Sequence, residues 1–440
     1  MPGTLCCAAL GCSDGSGKTQ GTGGSPAAAG AAGMAALAGS GGAPQAGANG
    51  AGTANGGAGA GGMGGGAGKS GEGGMGASGM GGAAGAGGGL GGASAAGGMS
   101  AGTGGAGALV FAGPGCTVPL AEADEPTLLT QTGCVDPLDP TKPDASLVAY
   151  DVNSPLWSDG ATKERYISLP PGAKIHVKDC AAEPDTCKSV DDGGTAEDEG
   201  HWDLPVGTTV MKVFLLADKR IETRLLMHVT DKQWRGYSFE WNDAGTDATL
   251  LDDKKQKTIG SQSWYYPSRA DCLQCHTEAA GRSLGPMTQQ LNRDYAYSDG
   301  MANVVDKFQA LGAFDRAPTR IAGYPSPTGS DTLESRARSY LTANCAICHR
   351  PGSTVSDIDL RFTTSFADTL LCNQAISAHP DDTNLPPLRL VPSDPANSSL
   401  SFRMHSTVDG YRMPKLASSV VDTAGTMLID QWIDSITSCP

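Results

Sequence analysis

Hydrophobic and polar positions change their rhythm along this chain. Residues 115–260 carry short runs of β-branched, aromatic and aliphatic residues bounded by Gly, Asp and Pro. "TTVMKVFLL" (208–216), "IETRLLMHV" (221–229) and "WRGYSFEWND" (234–243) are the clearest, and each predicts a strand. Upstream, "NSPLWSDGATKERYISLPPGAKI" (153–175) reads as a loop, a strand and a turn. Further on the period lengthens. "DGMANVVDKFQALGAF" (299–314) reads as a helix, and near the end Met427, Leu428, Trp432, Ile433 and Ile436 follow helical spacing.

Before residue 114 there is no such rhythm. About two thirds of the 64 glycines precede residue 111, and between Ser13 and Ala108 only Asp14, Lys18, Lys69 and Glu72 are charged. Such a segment cannot bury enough apolar surface to offset its ordering entropy, so residues 13–113 are expected to be a disordered tether. No run approaches the roughly 20 apolar residues of a membrane span. Residues 1–12, "MPGTLCCAALGC", end in an apolar run closing on Cys12. They resemble a bacterial lipoprotein cleavage site without its preceding basic region, with Cys12 as the lipid-bearing residue. The formal net charge of −15 argues against a nucleic-acid partner, which needs a basic footprint. It suits a basic protein partner drawn in by electrostatic steering.

The thirteen cysteines sort into groups. Cys6, Cys7 and Cys12 belong to the leader; Cys272, Cys275, Cys345 and Cys348 form two identical motifs. Six remain, as Cys116 and Cys134, Cys180 and Cys187, Cys372 and Cys439. Their near-neighbour pairing suggests up to three disulfides, and that density points outside the cytoplasm. The acidic run 185–199, which includes Cys187, reads as a solvated loop.

The two motifs are "DCLQCHTEAAGRSLGP" from Asp271 and "ANCAICHRPG" from Ala343. Both contain Cys-x-x-Cys-His. With 13 Cys and 7 His in 440 residues, chance yields far fewer than one such motif. On a helix Cys272, Cys275 and His276 stand at i, i+3 and i+4 and share a face, as do Cys345, Cys348 and His349. That geometry suits a c-type haem, in which two thiols bond the porphyrin vinyl groups and the His binds iron. Zinc needs four ligands close together, and the motifs lie 69 residues apart. A dithiol oxidoreductase would want a strand before CxxC and has no use for the adjacent His.

The stretch "DGYRMPKLASSVVDTAGTMLIDQWIDSI" resembles the distal side of class I cytochromes c, whose Met supplies the sixth iron ligand and whose last helix crosses the CxxCH helix. The resemblance makes His349 the proximal and Met413 the distal ligand, with Met404 and His405 as alternatives. "LGPMTQQL" resembles the Gly-Pro segment of the same family, whose Pro carbonyl holds the proximal His; that implies Pro286 for His276. Met301 is the first candidate for the sixth ligand there, with Met287, Met211, Met227, His201 and His228 open, as is an absent sixth ligand.

Taken together, "PLWSDGATKERYISLP", "GYSFEWNDAGTDATLL", "YYPSRADCLQCHTEAAGRSLGPMTQQLNRDY", "SYLTANCAICHRPG" and "RMPKL" are similar to a family of exported bacterial di-haem c-type cytochromes. The resemblance implies two covalent haems c and an α+β chain. After a possible signal remnant (1–12) and the linker (13–113), it would hold a β-rich domain (114–262). Two small, mostly helical cytochrome c-like haem domains would follow (263–328 and 329–440). The expected function is electron transfer with a redox protein in the periplasm or at the cell surface, tethered to membrane only through lipid on Cys12. Two alternatives stand beside it. One is a peroxidase-like enzyme with an open first haem; the other is a substrate-binding β-domain with Trp202, Trp234, Trp241 and Trp264 as an aromatic platform.

Overall fold

The computed structural model describes residues 115–116, 125–183, 200–377, 379–416 and 418–440. The leader with Cys12, the tether and Cys187 lie outside the described residues. In chain order the strands are β1 (Leu147–Tyr150), β2 (Thr162–Ser168), β3 (His176–Val177), β4 (Trp202–Asp203), β5 (Thr209–Leu216), β6 (Lys219–Thr230), β7 (Gln233–Trp241), β8 (Ala248–Leu250), β9 (Lys255–Ile259) and β10 (Gln262–Tyr266). Helices α1 (Arg269–Cys275) and α2 (Thr288–Leu291) follow, then hairpin strands β11 (Asp294–Tyr297) and β12 (Gly300–Asn303). The chain ends through α3 (Val304–Ala310), α4 (Leu333–Asn344), α5 (Ser399–His405) and α6 (Thr423–Ser435). The architecture is mixed α+β.

Six antiparallel strands form the main sheet in the order β1-β2-β5-β6-β7-β8. The three long apolar runs in the sequence are β5, β6 and β7. Both sheet faces are covered. Leu226 packs with Tyr150, Ile167 and Trp202 on one side, while its neighbours Leu225 and Met227 pack with Leu129, Tyr237 and Phe239 on the other. A strand buried on both faces loses the apolar–polar alternation and reads as a continuous apolar run. Cys116–Cys134 and Cys372–Cys439 stand at disulfide distance, as their pairing suggested. Cys180 is disulfide-bonded as well.

Two expectations fail between residues 263 and 328. The helix expected over 299–314 begins only at Val304, and Met301 lies on β12. The turn at Ser298-Asp299 and Gly300, whose φ is +129°, folds the first residues into a hairpin. Asn303 then caps α3 by accepting from Val305 N at 3.0 Å. Nor does the segment have a separate core: Leu291, Val304, Val305 and Phe308 share one with Tyr150, Ile167, Trp202 and Leu226.

The C-terminal part has its own core. Leu428, Ile429, Trp432 and Ile433 of α6 bury against Ala337, Tyr340 and Leu341 of α4. Met427, expected inward, is 54% exposed, and Ile429 takes the inward place. The helices approach closely at Gly425, where a Cβ would stand 2.4 Å from the Tyr340 ring. That ring cannot swing away freely, because its hydroxyl donates to Asp422 Oδ2 at 3.0 Å. Gly425→Val is expected to cost about 1–3 kcal/mol by overpacking. In urea titrations it should lower the midpoint without changing the slope.

Candidate functional site

The first motif is anchored from β10. Ser268 caps α1 by accepting from Asp271 N at 3.2 Å, and the Asp271 carboxylate accepts in return from Ser268 N at 3.0 Å and from the Tyr265 hydroxyl at 2.7 Å. This reciprocal capping fixes a helix too short to be stable by itself. Cys272 and Cys275 lie on α1, and His276 is its C-cap. On β7, Gly236 leaves room for Cys272, whose Sγ would meet a Cβ there at 2.8 Å.

The His276 ring turns toward the backbone of the next loop. Its Nδ1 meets the Arg282 carbonyl at 2.5 Å. Arg282 and Leu284 both have left-handed φ values, 56° and 51°, a conformation a non-glycine residue adopts at a cost of order 1 kcal/mol. Pro286, expected to hold His276, points its carbonyl elsewhere and accepts from Trp202 N at 3.1 Å. Burial, with help from the Lys212 charge, pushes His276 down to about 3. The imidazole is therefore neutral, with Nδ1–H donating and the Nε2 lone pair available as a ligand.

The second motif sits at the end of α4. Cys345 is the C-cap, while Cys348 and His349 lie in the following turn rather than on the helix. The bond from His349 N to Cys345 O, 2.9 Å, keeps a helical turn's spacing. Burial also lowers His349, and its Nδ1 is buried with no hydrogen-bond partner among the described residues.

Folding brings the two motifs together. The Cys275 and Cys348 thiols lie close enough to act on each other's ionisation, Cys275 pushed up and Cys348 down. Burial pushes Cys345 up to about 12. The link runs through residues 153–159, which the sequence pattern marks only as loop. Ser154 N donates to Gln290 Oε1 on α2 at 2.9 Å, and Ser154 Oγ donates to Ser339 O on α4 at 3.0 Å. Trp157 N donates to Asn344 Oδ1 at 2.7 Å, and Asp159 accepts from Ser419 N and Val420 N at 2.8 and 3.0 Å.

Cys345 and Met413 line one narrow cavity, together with Tyr340, Met404 and Trp157. His405 is used elsewhere, in a 2.8 Å pair with Asp430. Around the first motif the expected ligands are dispersed. Met301 is 69% exposed; Met211 and Met227 sit in the core on one face of the sheet. His228 stacks on Trp234 at 4.3 Å, and His201 lies between Gly281 O and Asp203. Met287 alone of these lines a second cavity, partly open to solvent, between the motifs. Trp202, Trp241 and Trp264 are buried in cores, which leaves Trp234 without the companions an aromatic platform needs.

Lys163 and Lys212 reach that second cavity, and the sequence reading passed over both. The available signal was Lys212 itself, a charge in the middle of an apolar strand. Burial first, then neighbouring Arg165, lowers each to about 7. An unfolded lysine titrates near 10.4, so above pH 7 the unfolded chain binds more protons and stability rises with pH. Cysteines and tyrosines with raised values reverse the trend above about pH 8.5. The polypeptide alone should gain on the order of 1–2 kcal/mol between pH 7 and 8.5, measured by urea unfolding; a flat or falling profile would contradict it.

Among the described residues, no three His, Cys, Asp or Glu side chains gather as around a shared metal ion, and no helix is long and apolar enough to cross a membrane. No protein-family model, curated protein or solved structure matches this chain.

Proposed function

We propose that the chain is an exported di-haem c-type cytochrome that carries electrons. Cys272 and Cys275 would hold one haem c, Cys345 and Cys348 the other. The observation that carries this reading is the paired motif: twice, two thiols are followed by a half-buried imidazole whose protonation is disfavoured, leaving the neutral state an iron ligand requires. Haem bound at such sites supplies a one-electron ferric–ferrous couple. The chain's own part is to orient and insulate. Arg282 O fixes the His276 tautomer, the α4–α6 core backs Cys345, and Met413 offers a thioether in the cavity that Cys345 lines. The second motif would then form a class I-like haem site, and the first would be built onto the sheet. The acidic chain would dock a basic redox partner weakly, in the periplasm or on the cell surface, with lipid on Cys12 as its membrane tether.

A second reading is favoured by the dispersal of methionines around the first motif: an open first iron and peroxidase-like chemistry, with the second site as relay. Absorption and EPR spectra of the holoprotein, with and without carbon monoxide, separate the two. Two low-spin sites indifferent to carbon monoxide support electron transfer, whereas a high-spin site that binds it supports the enzyme. A pyridine haemochrome assay finding no covalent haem would sink both.

A further inference from the structure

We propose that the space between the two motifs is a carboxylate-binding cavity, with Lys212 and Lys163 as its cationic contacts and the acid side chains of the porphyrin as occupants. This rests on the haem reading and assigns residues that the motifs do not.

The first observation is charge. In a chain of formal net charge −15, this cavity is lined by Lys163, Arg165, Lys212, Arg350 and Arg361, and by no Asp or Glu. Two of the arginines are already neutralised, Arg165 by Asp151 and Arg361 by Asp359, each at 2.6 Å. Among the described residues, Lys163 donates only to backbone carbonyls, Leu156 O at 2.8 Å and Ala161 O at 3.3 Å. Lys212 has no hydrogen-bond or ion-pair partner among the described residues. The charges acting on it are two cations, Arg165 and Arg224, and the Cys275 thiol.

The second observation is register. Arg165 of β2 pairs with Lys212 of β5, which pairs with Arg224 of β6. Three cations therefore stand in a row across three adjacent strands, an arrangement that destabilises a sheet by itself. The outer two have carboxylates, Asp151 and Glu222; the middle one has none. A half-buried cation without a counter-charge destabilises the fold unless a ligand supplies one.

The third observation is the rest of the lining. Leu284 and Gly285 follow the first motif, Ala346 and Ile347 lie inside the second, and Tyr150 and Val152 come from the β-rich part. An occupant that is apolar over much of its surface, carries carboxylates and reaches from the segment after the first motif to the second matches this wall. A small free oxyanion matches only the cations.

The test uses holoprotein: wild type, Lys212→Gln, Lys212→Arg, Lys163→Gln and, as a surface control, Lys232→Gln. Covalent haem is counted by pyridine haemochrome, and ferric–ferrous equilibria are read by spectroelectrochemistry with and without millimolar inorganic phosphate or succinate. Removing a cation beside the porphyrin favours the ferric state. Lys212→Gln should therefore raise the ferric-to-ferrous ratio at fixed potential about tenfold, a fall of about 59 mV for one electron. Lys163→Gln should move the same way, Lys212→Arg and Lys232→Gln should stay near wild type, and neither added anion should change the wild-type curve. If the haems load but Lys212→Gln behaves like Lys232→Gln, the carboxylate assignment is wrong and the haem reading stands. A wild-type potential that shifts with phosphate or succinate would give the cavity to a free anion and overturn the occupant. Should Lys212→Gln yield no holoprotein, Lys163→Gln against Lys212→Arg decides: a shift in the first alone supports the proposal, and equal potentials overturn it. Wild type without covalent haem removes the haem reading, and this inference with it.

Discussion

Met413→Ala is expected to lower the reduction potential of the second site by on the order of a few hundred millivolts, within the roughly 0.8 V that axial ligation spans. A thioether ligand favours the ferrous state, so its loss stabilises the ferric one. Met413 lies on the same cavity wall as Cys345, and its position is imposed by the surrounding chain. Its backbone N donates to Arg403 O at 3.0 Å, which ties it to the end of α5. Beyond Pro414, the Ser418 hydroxyl turns back to the Pro414 carbonyl, and the next residues are clamped by Asp159. Asp159 is 2% exposed and belongs to the β-rich part, so the segment carrying Met413 is held from outside its own helical core. Met413→His should keep six-coordination while still lowering the potential, because imidazole lacks the thioether's preference. Spectroelectrochemistry of each variant, with the thioether–iron charge-transfer band as a second readout, checks both. An unmoved potential and a surviving band in Met413→Ala would transfer the role to Met404, which lines the same cavity.

The parts of this protein legible in its sequence are those set by local pattern. The runs at 208–216, 221–229 and 234–243 became β5, β6 and β7 because each is long, β-branched and bounded by turn residues. The terminal helix was readable from spacing, although Met427 points outward: an apolar residue beside an inward-facing stripe cannot be distinguished by period alone. The hairpin around Gly300 was missed because "DGMANVVDKFQ" carries a helical apolar pattern, whereas turn chemistry and strand pairing decide its first residues. The carbonyl facing His276 was misplaced for another reason. Which backbone oxygen meets a ring depends on left-handed residues such as Arg282 and Leu284, and nothing in their side chains announces that conformation. Long-range placement was beyond reach altogether. The meeting of Cys275 with Cys348 spans 73 residues of sequence, and the bonds from residues 153–159 to α2 and α4 span more than 130.

Glu222→Leu is the substitution expected to damage the fold most, by about 2–4 kcal/mol, because it removes a fully buried carboxylate and strands the half-buried Arg224 guanidinium. Glu222 is fully buried, and its carboxylate accepts from Arg224 Nε and Nη2 at 2.6 and 2.8 Å, from Ser238 Oγ and from Trp264 Nε1 at 3.0 Å. Burial works against the Arg224 charge, and Glu222 more than restores it. Arg224 in turn lies over the Phe214 ring at 4.4 Å and close enough to Cys272 and Cys275 to feel their ionisation. Without Glu222, the row Arg165–Lys212–Arg224 would hold two uncompensated cations rather than one, directly beneath the first motif. The damage should therefore be local as well as global, with haem loading at Cys272 and Cys275 falling more than loading at Cys345 and Cys348. Urea unfolding and mass spectrometry of haem-bearing peptides measure the two effects separately. Adding Arg224→Leu to Glu222→Leu should recover much of the stability, since a matched apolar pair costs less than one orphaned charge. If the double variant were as unstable as the single one, the lost bonds to Ser238 and Trp264, rather than the stranded guanidinium, would be the reason Glu222 is needed.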